Sequence, residues 1–145
     1  MTDRNGHCLC GAVKFTATGM ATEFSTCYCN MCRRWTGGAF TGVSVSTDDL
    51  NITGSEHIHI YQSSNFAERA SCNKCGSAIW FRLTAGPYVG STSIALGLLN
   101  DVSGLKLKRE YFVDYKNNTN DLPEDRIQMT SADIEKIVAE FAKKE

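Results

Sequence analysis

Seven cysteines are the residues of this 145-residue chain with the clearest chemical role. They occur as a CxCG run at residues 8–11, a CxCxxC run at residues 27–32 and a CxxCG run at residues 72–76. Two cysteines at i and i+2 on a strand, or in a CxxC turn, can present both sulfurs to one metal ion. Because an odd number of cysteines leaves one unpaired in any all-disulfide scheme, the pattern favours zinc ligands over disulfides.

The CxxCG turn supplies two thiolates and needs two more, and the CxCG run is the only isolated pair. The simplest partition therefore predicts a closed, tetrahedral, structural zinc site with four ligands: Cys8, Cys10, Cys72 and Cys75. Such a site would tie the first strand to the middle of the chain. A zinc ribbon that joins the CxxC at residues 29–32 to the CxxC at 72–75 would enclose about twice the roughly 15–20 residues usual for that pattern.

Three cysteines remain, Cys27, Cys29 and Cys32, with no obvious fourth ligand. A zinc ion held by three protein ligands keeps one position free for water or substrate, which distinguishes catalytic from structural zinc. We therefore expect two Zn²⁺ per chain, the second in an open catalytic site that can be partly occupied. Two alternatives stay open: a distant His or Asp completes a second structural site, or these cysteines bind no metal. His57 and His59 are candidates, although alternate histidines on a strand are typical of a solvated surface.

The net charge of the three-cysteine site with zinc bound indicates which kind of incoming ligand would suit it. Three thiolates and Zn²⁺ sum to −1, and so electron-rich a zinc suits an incoming thiolate better than an activated water. This indicates chemistry between a small thiol and an electrophilic carbon. Arg33 and Arg34 follow directly and are candidate substrate-binding residues, because two guanidinium groups would offset the charge and bind carboxylates. Two exposed arginines without this role are the open alternative. Trp35, Phe40 and Trp80 either line a pocket nearby or pack in the core.

The elements that must position these residues are mostly strands. Period-two alternation of apolar and polar residues predicts short strands in several runs. These runs are Val13 to Ala17, Phe40 to Val45, Ile58 to Ile60 and Ile79 to Phe81, with further β-type stretches at Tyr88 to Leu99 and Leu105 to Val113. The sequence therefore predicts a mostly β fold of antiparallel sheets, with the three-cysteine site in a loop.

One helix is predicted near the end of the chain, over residues 131–144. Apolar residues recur at i, i+3, i+4 and i+7 from Ile134 to Phe141. Thr130 can cap the start of this helix together with Asp133. An amphipathic helix of this kind is expected to lie as a lid over one face of a sheet.

Length and composition exclude several classes of protein. With 145 residues and 42% hydrophobic content, the chain is expected to form one domain over residues 1–145, with its core at about 7–115. A net charge of −1 gives no general attraction to nucleic acid or to an anionic membrane. No apolar run approaches the roughly 18 residues of a transmembrane helix. We expect a cytoplasmic protein with reduced thiols, and nothing in the sequence indicates its oligomeric state.

The cysteine motifs also resemble those of a known family. The order CxCG, then CxCxxCRR followed by Thr36 to Phe40, then CxxCGS at Cys72 to Ser77, resembles the glutathione-dependent formaldehyde-activating (Gfa) family from His7 to about Val113. The resemblance implies a β-tent fold like that of Mss-four-type zinc-binding proteins. It assigns the four-cysteine set to structural zinc and the three-cysteine set to catalytic zinc. It implies carbon–sulfur lyase activity, the formation or cleavage of S-hydroxymethylglutathione from formaldehyde and glutathione.

The sequence departs from the family pattern at three places. Tyr28 stands between two cysteines where the family often has His, and Glu110 stands in a late strand where His is frequent. The chain is also short around residues 117–123. None of these positions is a predicted zinc ligand, but they leave the identity of the thiol open.

Two other classes of function remain as alternatives. One is a non-enzymatic, Mss-four-like, zinc-stabilised binding module in which the three-cysteine set is structural. The other is a thiol-redox protein that uses Cys29 and Cys32, although the chain lacks the βαβ context in which CxxC usually has that role. Two zinc ions, one with an exchangeable ligand position, would favour the enzyme.

Overall fold

Residues 1–143 of the computed structural model are described, and ten strands and two helices organise them. In chain order the elements are β1 (Thr2–His7), β2 (Lys14–Met20), β3 (Glu23–Cys27), α1 (Asn30–Thr36), β4 (Phe40–Ser46), β5 (Leu50–Thr53), β6 (Ile58–Ser64), β7 (Ala67–Cys72), β8 (Ala78–Leu83), β9 (Ser91–Ala95), β10 (Lys106–Tyr111) and α2 (Ser131–Ala142). The predicted mostly β fold with a helix at the end is confirmed.

The strands form two sheets. One has three strands in the order β1-β2-β5, and the other has seven in the order β10-β3-β4-β9-β8-β7-β6. Every strand pair is antiparallel except β10 with β3, which is parallel. Antiparallel sheets were predicted from the sequence, and they are confirmed apart from this one pair. The difference arises because β10 does not follow its neighbour by a hairpin but reaches the far edge of the sheet through the connection at residues 96–105, which permits parallel pairing.

A core of apolar side chains joins the two sheets. The alternation predicted for β2 buries Phe15 and Ala17, and the alternation in β4 buries Val43 and Val45. Trp80 on β8 belongs to this core rather than to a pocket wall. Because side chains alternate along a strand, Phe15 and Ala17 lie on the same face of β2, and the opposite face of β2 is exposed.

Helix α1 was not predicted, because its seven residues are too few for a periodic pattern and its cap is unusual. Cys29 is the N-cap, and its Sγ accepts a hydrogen bond from the backbone N–H of Cys32 at 3.3 Å. The helix ends at Gly37, whose φ of 80° suits glycine and whose N–H donates to the carbonyl of Arg33 at 2.8 Å. The expected loop around the three cysteines is therefore a strand end followed by a helix start.

Helix α2 begins where the sequence predicts it, with a capping box formed by Thr130 and Asp133. Its last described turn ends at Ala142, and residue 144 of the predicted range lies outside the described residues. The expectation that it covers a sheet is wrong: the four apolar residues from Ile134 to Phe141 are 43–65% exposed. An amphipathic pattern states which face is apolar but not what covers that face. Within residues 1–143, neither helix has the length and hydrophobicity that a membrane crossing requires.

Candidate functional site

The four-cysteine set predicted from spacing comes together in the structure. The sulfur atoms of Cys8, Cys10, Cys72 and Cys75 all lie within 4.8 Å of one another. Cys10 Sγ is 3.7 Å from Cys8 Sγ and 3.8 Å from Cys72 Sγ. A tetrahedral zinc with Zn–S bonds of about 2.3 Å places its sulfurs about 3.8 Å apart, so these donors fit zinc.

Two similar turns build this four-cysteine cluster. Gly11 follows the first pair with φ of 79°, and its N–H donates to the carbonyl of Cys8 at 3.0 Å; Gly76 follows the second with φ of 78° and donates to the carbonyl of Cys72 at 2.9 Å. Positive φ is accessible to glycine at low cost, which lets the chain fold back under the sulfurs. The first pair was expected on a strand but lies in the turn between β1 and β2, which also brings both sulfurs to one side.

Hydrogen bonds in the four-cysteine cluster favour the thiolate forms of Cys8 and Cys75. The backbone N–H of Val13 donates to Cys8 Sγ at 3.3 Å, and the hydroxyl of Ser77 lies 3.2 Å from Cys75 Sγ. Ser77 hydrogen bonding lowers the pKa of Cys75 to about 5. Donors aimed at sulfur stabilise the deprotonated form, the form that binds a metal ion.

The three-cysteine set also converges. Cys27 ends β3, Cys29 caps α1 and Cys32 lies buried in the first turn of α1, with the three sulfurs within 4.8 Å of one another. Among residues 1–143 no histidine or carboxylate joins this cluster, so neither a distant His nor a distant Asp completes it. His57 instead lies 3.5 Å from Glu56. The ribbon arrangement does not form either, because the 29–32 and 72–75 pairs belong to different clusters.

The surroundings of the three-cysteine cluster favour a thiolate at Cys32. A hydrogen bond from Cys27 lowers the pKa of Cys32 to about 5, with a further contribution from Arg69. The same bond raises the pKa of Cys27. A thiolate is the form of cysteine that binds a thiophilic divalent cation, and a bound cation would favour the deprotonated form of all three sulfurs. The donor chemistry therefore fits zinc here as well.

Arg69 on β7 was not predicted as a site residue, yet it contacts this cluster. Its Nη1 donates to Cys32 Sγ at 3.5 Å and its Nε donates to Ser63 Oγ at 3.2 Å. Its guanidinium lies 5.0 Å from the ring centres of both Trp35 and Phe81. No sequence pattern singled out Arg69, because β7 is buried on both faces and shows no simple alternation of apolar and polar residues.

The two positions that depart from the family pattern are in contact. Tyr28 donates its hydroxyl hydrogen to Glu110 Oε1 at 2.6 Å, and Lys116 Nζ lies 3.3 Å from the same oxygen. The parallel pairing of β10 with β3 brings them together, because it sets Tyr111 beside Cys27. The hydrogen bond raises the pKa of Tyr28 and lowers that of Glu110.

Arg33 and Arg34, the predicted substrate-binding residues, are both exposed on α1. Arg33 lines a cleft of about 70 Å³ whose other walls include Tyr28, Gly38 and Asn117, whereas Arg34 does not line it. Of the two predicted substrate-binding residues, Arg33 therefore lies at this cleft and Arg34 does not. A larger cleft of about 400 Å³ lies elsewhere, at Arg4, and among the described residues no cysteine lines either cleft.

A family model described as glutathione-dependent formaldehyde-activating enzyme matches residues 3–115. The chain belongs to this family. The membership expected from the cysteine motifs is thus confirmed, and the match covers every cysteine of both clusters. Residues 116–143, including α2, lie outside it.

Two named relatives agree with this Gfa membership. An uncharacterized lyase of Schizosaccharomyces pombe is 33% identical over 102 residues, which cover 69% of this chain and 74% of the relative. A Halomonas elongata protein that carries the family's name is 37% identical over 83 residues, about half of each chain (52% and 53%). A crystal structure of a Rhodobacter sphaeroides protein superposes with a TM-score of 0.56 at 24% identity, over 72% of this chain and 99% of that one, which supports the fold.

Proposed function

We propose that this Gfa-family chain is a zinc-dependent carbon–sulfur lyase that forms or cleaves the adduct of formaldehyde and a small thiol, with S-hydroxymethylglutathione as the adduct. The observation that carries the proposal is the convergence of the sulfurs of Cys27, Cys29 and Cys32. Tyr28 and Arg33, which adjoin these cysteines in sequence, line a cleft of about 70 Å³. The names of the family and of its lyase relative support the reaction class.

The two cysteine clusters take different roles in this proposal. The four-cysteine cluster holds a structural zinc, because all four ligand positions of a tetrahedral ion are filled by protein sulfur. The three-cysteine cluster holds a second zinc as the catalytic centre. When bound there, the ion supplies a Lewis-acid position for the sulfur of the substrate.

The proposed reaction is the addition of a thiol to formaldehyde, together with its reverse. In the forward direction the thiol sulfur forms a bond to the formaldehyde carbon, the π bond of the carbonyl breaks, and the thiol proton ends on the new hydroxyl oxygen. The reverse direction restores the thiol and the aldehyde. The contribution of the protein is to hold the thiol and aldehyde together, which makes a bimolecular step effectively unimolecular.

The residues around the cleft orient a small anionic thiol. Arg33 is placed to donate a charge-assisted hydrogen bond to a substrate carboxylate, and Arg34 on the same helix adds positive charge at longer range. Glu110 fixes the hydroxyl of Tyr28 and so fixes one wall of the cleft. Because the substrate thiol and the seven free cysteines all require a reducing compartment, we assign the protein to the cytoplasm.

The proposal is tested by following the exchange of formaldehyde and glutathione with their adduct by proton NMR. Zinc-loaded wild type should accelerate exchange above the spontaneous rate, and Cys29→Ser should not. If the wild type binds two zinc ions but does not accelerate the exchange of formaldehyde with glutathione or with other small thiols, the lyase assignment is wrong. The non-enzymatic zinc-stabilised binding module is then the better account.

A further inference from the structure

Arg69 is a buried cation that pairs with no carboxylate in the part of the chain that the structure describes. The side chain is 4% exposed and sits between the rings of Trp35 from α1 and Phe81 from β8. Within residues 1–143, none of the ion pairs at or under 4.0 Å includes Arg69. A guanidinium removed from water needs a compensating charge, and two aromatic faces supply only part of it.

The compensating charge is the three-cysteine cluster. Nη1 of Arg69 donates to Cys32 Sγ at 3.5 Å, while Ser63 takes the donor at Nε. Three thiolates with one Zn²⁺ carry a net charge of −1, and the guanidinium of Arg69 brings the net charge to zero. The exposed arginines of α1 are screened by solvent, whereas Arg69 acts from the protein interior, where the same charge is felt more strongly.

We propose that Arg69 is a positioning residue of the three-cysteine centre, which holds Cys32 in place as a thiolate ligand and brings the charge of the centre to zero. This inference rests on the proposed zinc centre. Arginine suits the role better than lysine, because its planar fork reaches Cys32 and Ser63 at once and stacks between two rings.

The location of Arg69 gives this role a structural consequence. Arg69 lies on β7, the strand whose last residue, Cys72, belongs to the four-cysteine cluster. One strand thus carries a ligand of the first centre and the hydrogen-bond donor of the second. The orientation of Cys32 in the second centre is set in this way by a strand anchored at the first.

Cobalt titration of the apoprotein tests the inference without any assay of activity. Co²⁺ reports thiolate ligation through a sulfur-to-metal charge-transfer band, and the two centres fill in separate phases if their affinities differ. The variants are Arg69→Met and Arg69→Lys. The matched control is Arg82→Met on the adjacent strand β8, where Arg82 also stacks on a ring, Trp80 at 4.2 Å, and pairs with Glu68 at 3.7 Å.

In Arg69→Met, the affinity of the three-cysteine centre for Co²⁺ should fall by about 10–100-fold, the usual effect of losing a hydrogen-bond partner of a metal ligand. The four-cysteine centre should keep its affinity. The charge-transfer band of the weakened centre should move to longer wavelength, because a sulfur without its donor holds its lone pair less tightly. Arg69→Lys should recover part of the affinity, and Arg82→Met should titrate as wild type.

Three results would overturn the inference. Unchanged affinity and an unchanged band in both Arg69 variants would show that the N–H···S contact has no role at the metal. An equal loss in Arg82→Met would assign the effect to strand packing. Binding of a single Co²⁺ per wild-type chain would instead remove the three-cysteine metal centre itself, and with it the proposed function. If Arg69→Met does not fold, the same readout in Arg69→Lys decides.

Discussion

Tyr28 and Glu110 form a single hydrogen-bonded unit, with the hydroxyl oxygen 2.6 Å from the carboxylate oxygen. They occupy the two positions at which the sequence lacks histidines frequent in the family pattern. Because β3 pairs with β10, the two side chains are in contact, and the two differences from the family pattern form one structural feature. A hydrogen-bonded pair of a tyrosine and a carboxylate therefore occupies these two positions.

Because Tyr28 and Glu110 share one hydrogen bond, substitutions at the two positions should have non-additive effects. Tyr28→Phe and Glu110→Ala should each lower kcat/KM about fivefold or less, because an exposed polar pair contributes little on its own. The double variant should be no worse than either single variant, since both remove the same bond. A double-mutant cycle on the adduct-exchange rate measures this. Effects that multiply would show that the residues act independently of each other.

Because the four-cysteine cluster joins parts of the chain that are distant in sequence, we expect folding of the whole domain to depend on its metal ion. Cys72 is 2% exposed and joins the β7–β8 turn to the β1–β2 turn. A structural zinc contributes an apparent binding free energy of about 10–16 kcal/mol, whereas whole domains are stable by about 5–15 kcal/mol. Cys72→Ser should therefore unfold the chain, as should a strong chelator. Circular dichroism with zinc analysis checks it; a folded variant with unchanged melting temperature would contradict the structural role.

The three-cysteine cluster predicts a local effect instead. Cys29→Ser should stay folded and bind about one zinc, because all three ligands lie close together in sequence and their loss frees no long tether. Serine is also a preferred N-cap, so this variant keeps the cap of α1 while it loses a ligand. Cys29→Ala should lose both, and its α1 amides should exchange hydrogen faster. If Cys29→Ser unfolds as completely as Cys72→Ser, this cluster is structural as well.

The sequence predicted the cysteine partition well because sulfur ligands leave little freedom. Spacing alone paired the 8–10 and 72–75 sulfurs, and the structure brings these four together. It predicted the strands with clear alternation, such as β2 and β4, for a similar reason. Local pattern and global packing agree in these segments.

The rest depends on contacts between segments distant in sequence. Arg69 and Cys32 are 37 residues apart, and Tyr28 and Glu110 are 82 apart, so no local pattern indicates that they touch. Both arginines of α1 were predicted to balance the charge of the cluster because they adjoin the cysteines in sequence. Helix α2 shows the same limit, since its apolar face is evident in the sequence but its exposure is not.

The two arginines of α1 should differ in thiol binding. Arg33→Met should weaken glutathione binding about tenfold, the lower end of what a hydrogen bond to a charged group contributes, because Arg33 lines the cleft. Arg34→Met is the matched control and should bind nearly as wild type, since Arg34 does not line it. Calorimetric titration of the zinc-loaded proteins measures both, and mercaptoethanol, which has no carboxylate, should not distinguish them. Equal losses in the two variants would contradict a specific carboxylate site at Arg33.

Removal of α2 should leave the metal-binding part of the molecule unchanged. The helix buries no side chain within the described residues, and residues 116–143 lie outside the family match. A chain ending at residue 130 should therefore bind two zinc ions and melt within about 2 °C of the full chain, since a loss near 1 kcal/mol would already shift the midpoint by a few degrees. Thr130→Ala in the full chain is the control that loosens the helix cap alone. A larger drop in the melting temperature on truncation, absent from Thr130→Ala, would show that α2 packs on the sheets in solution.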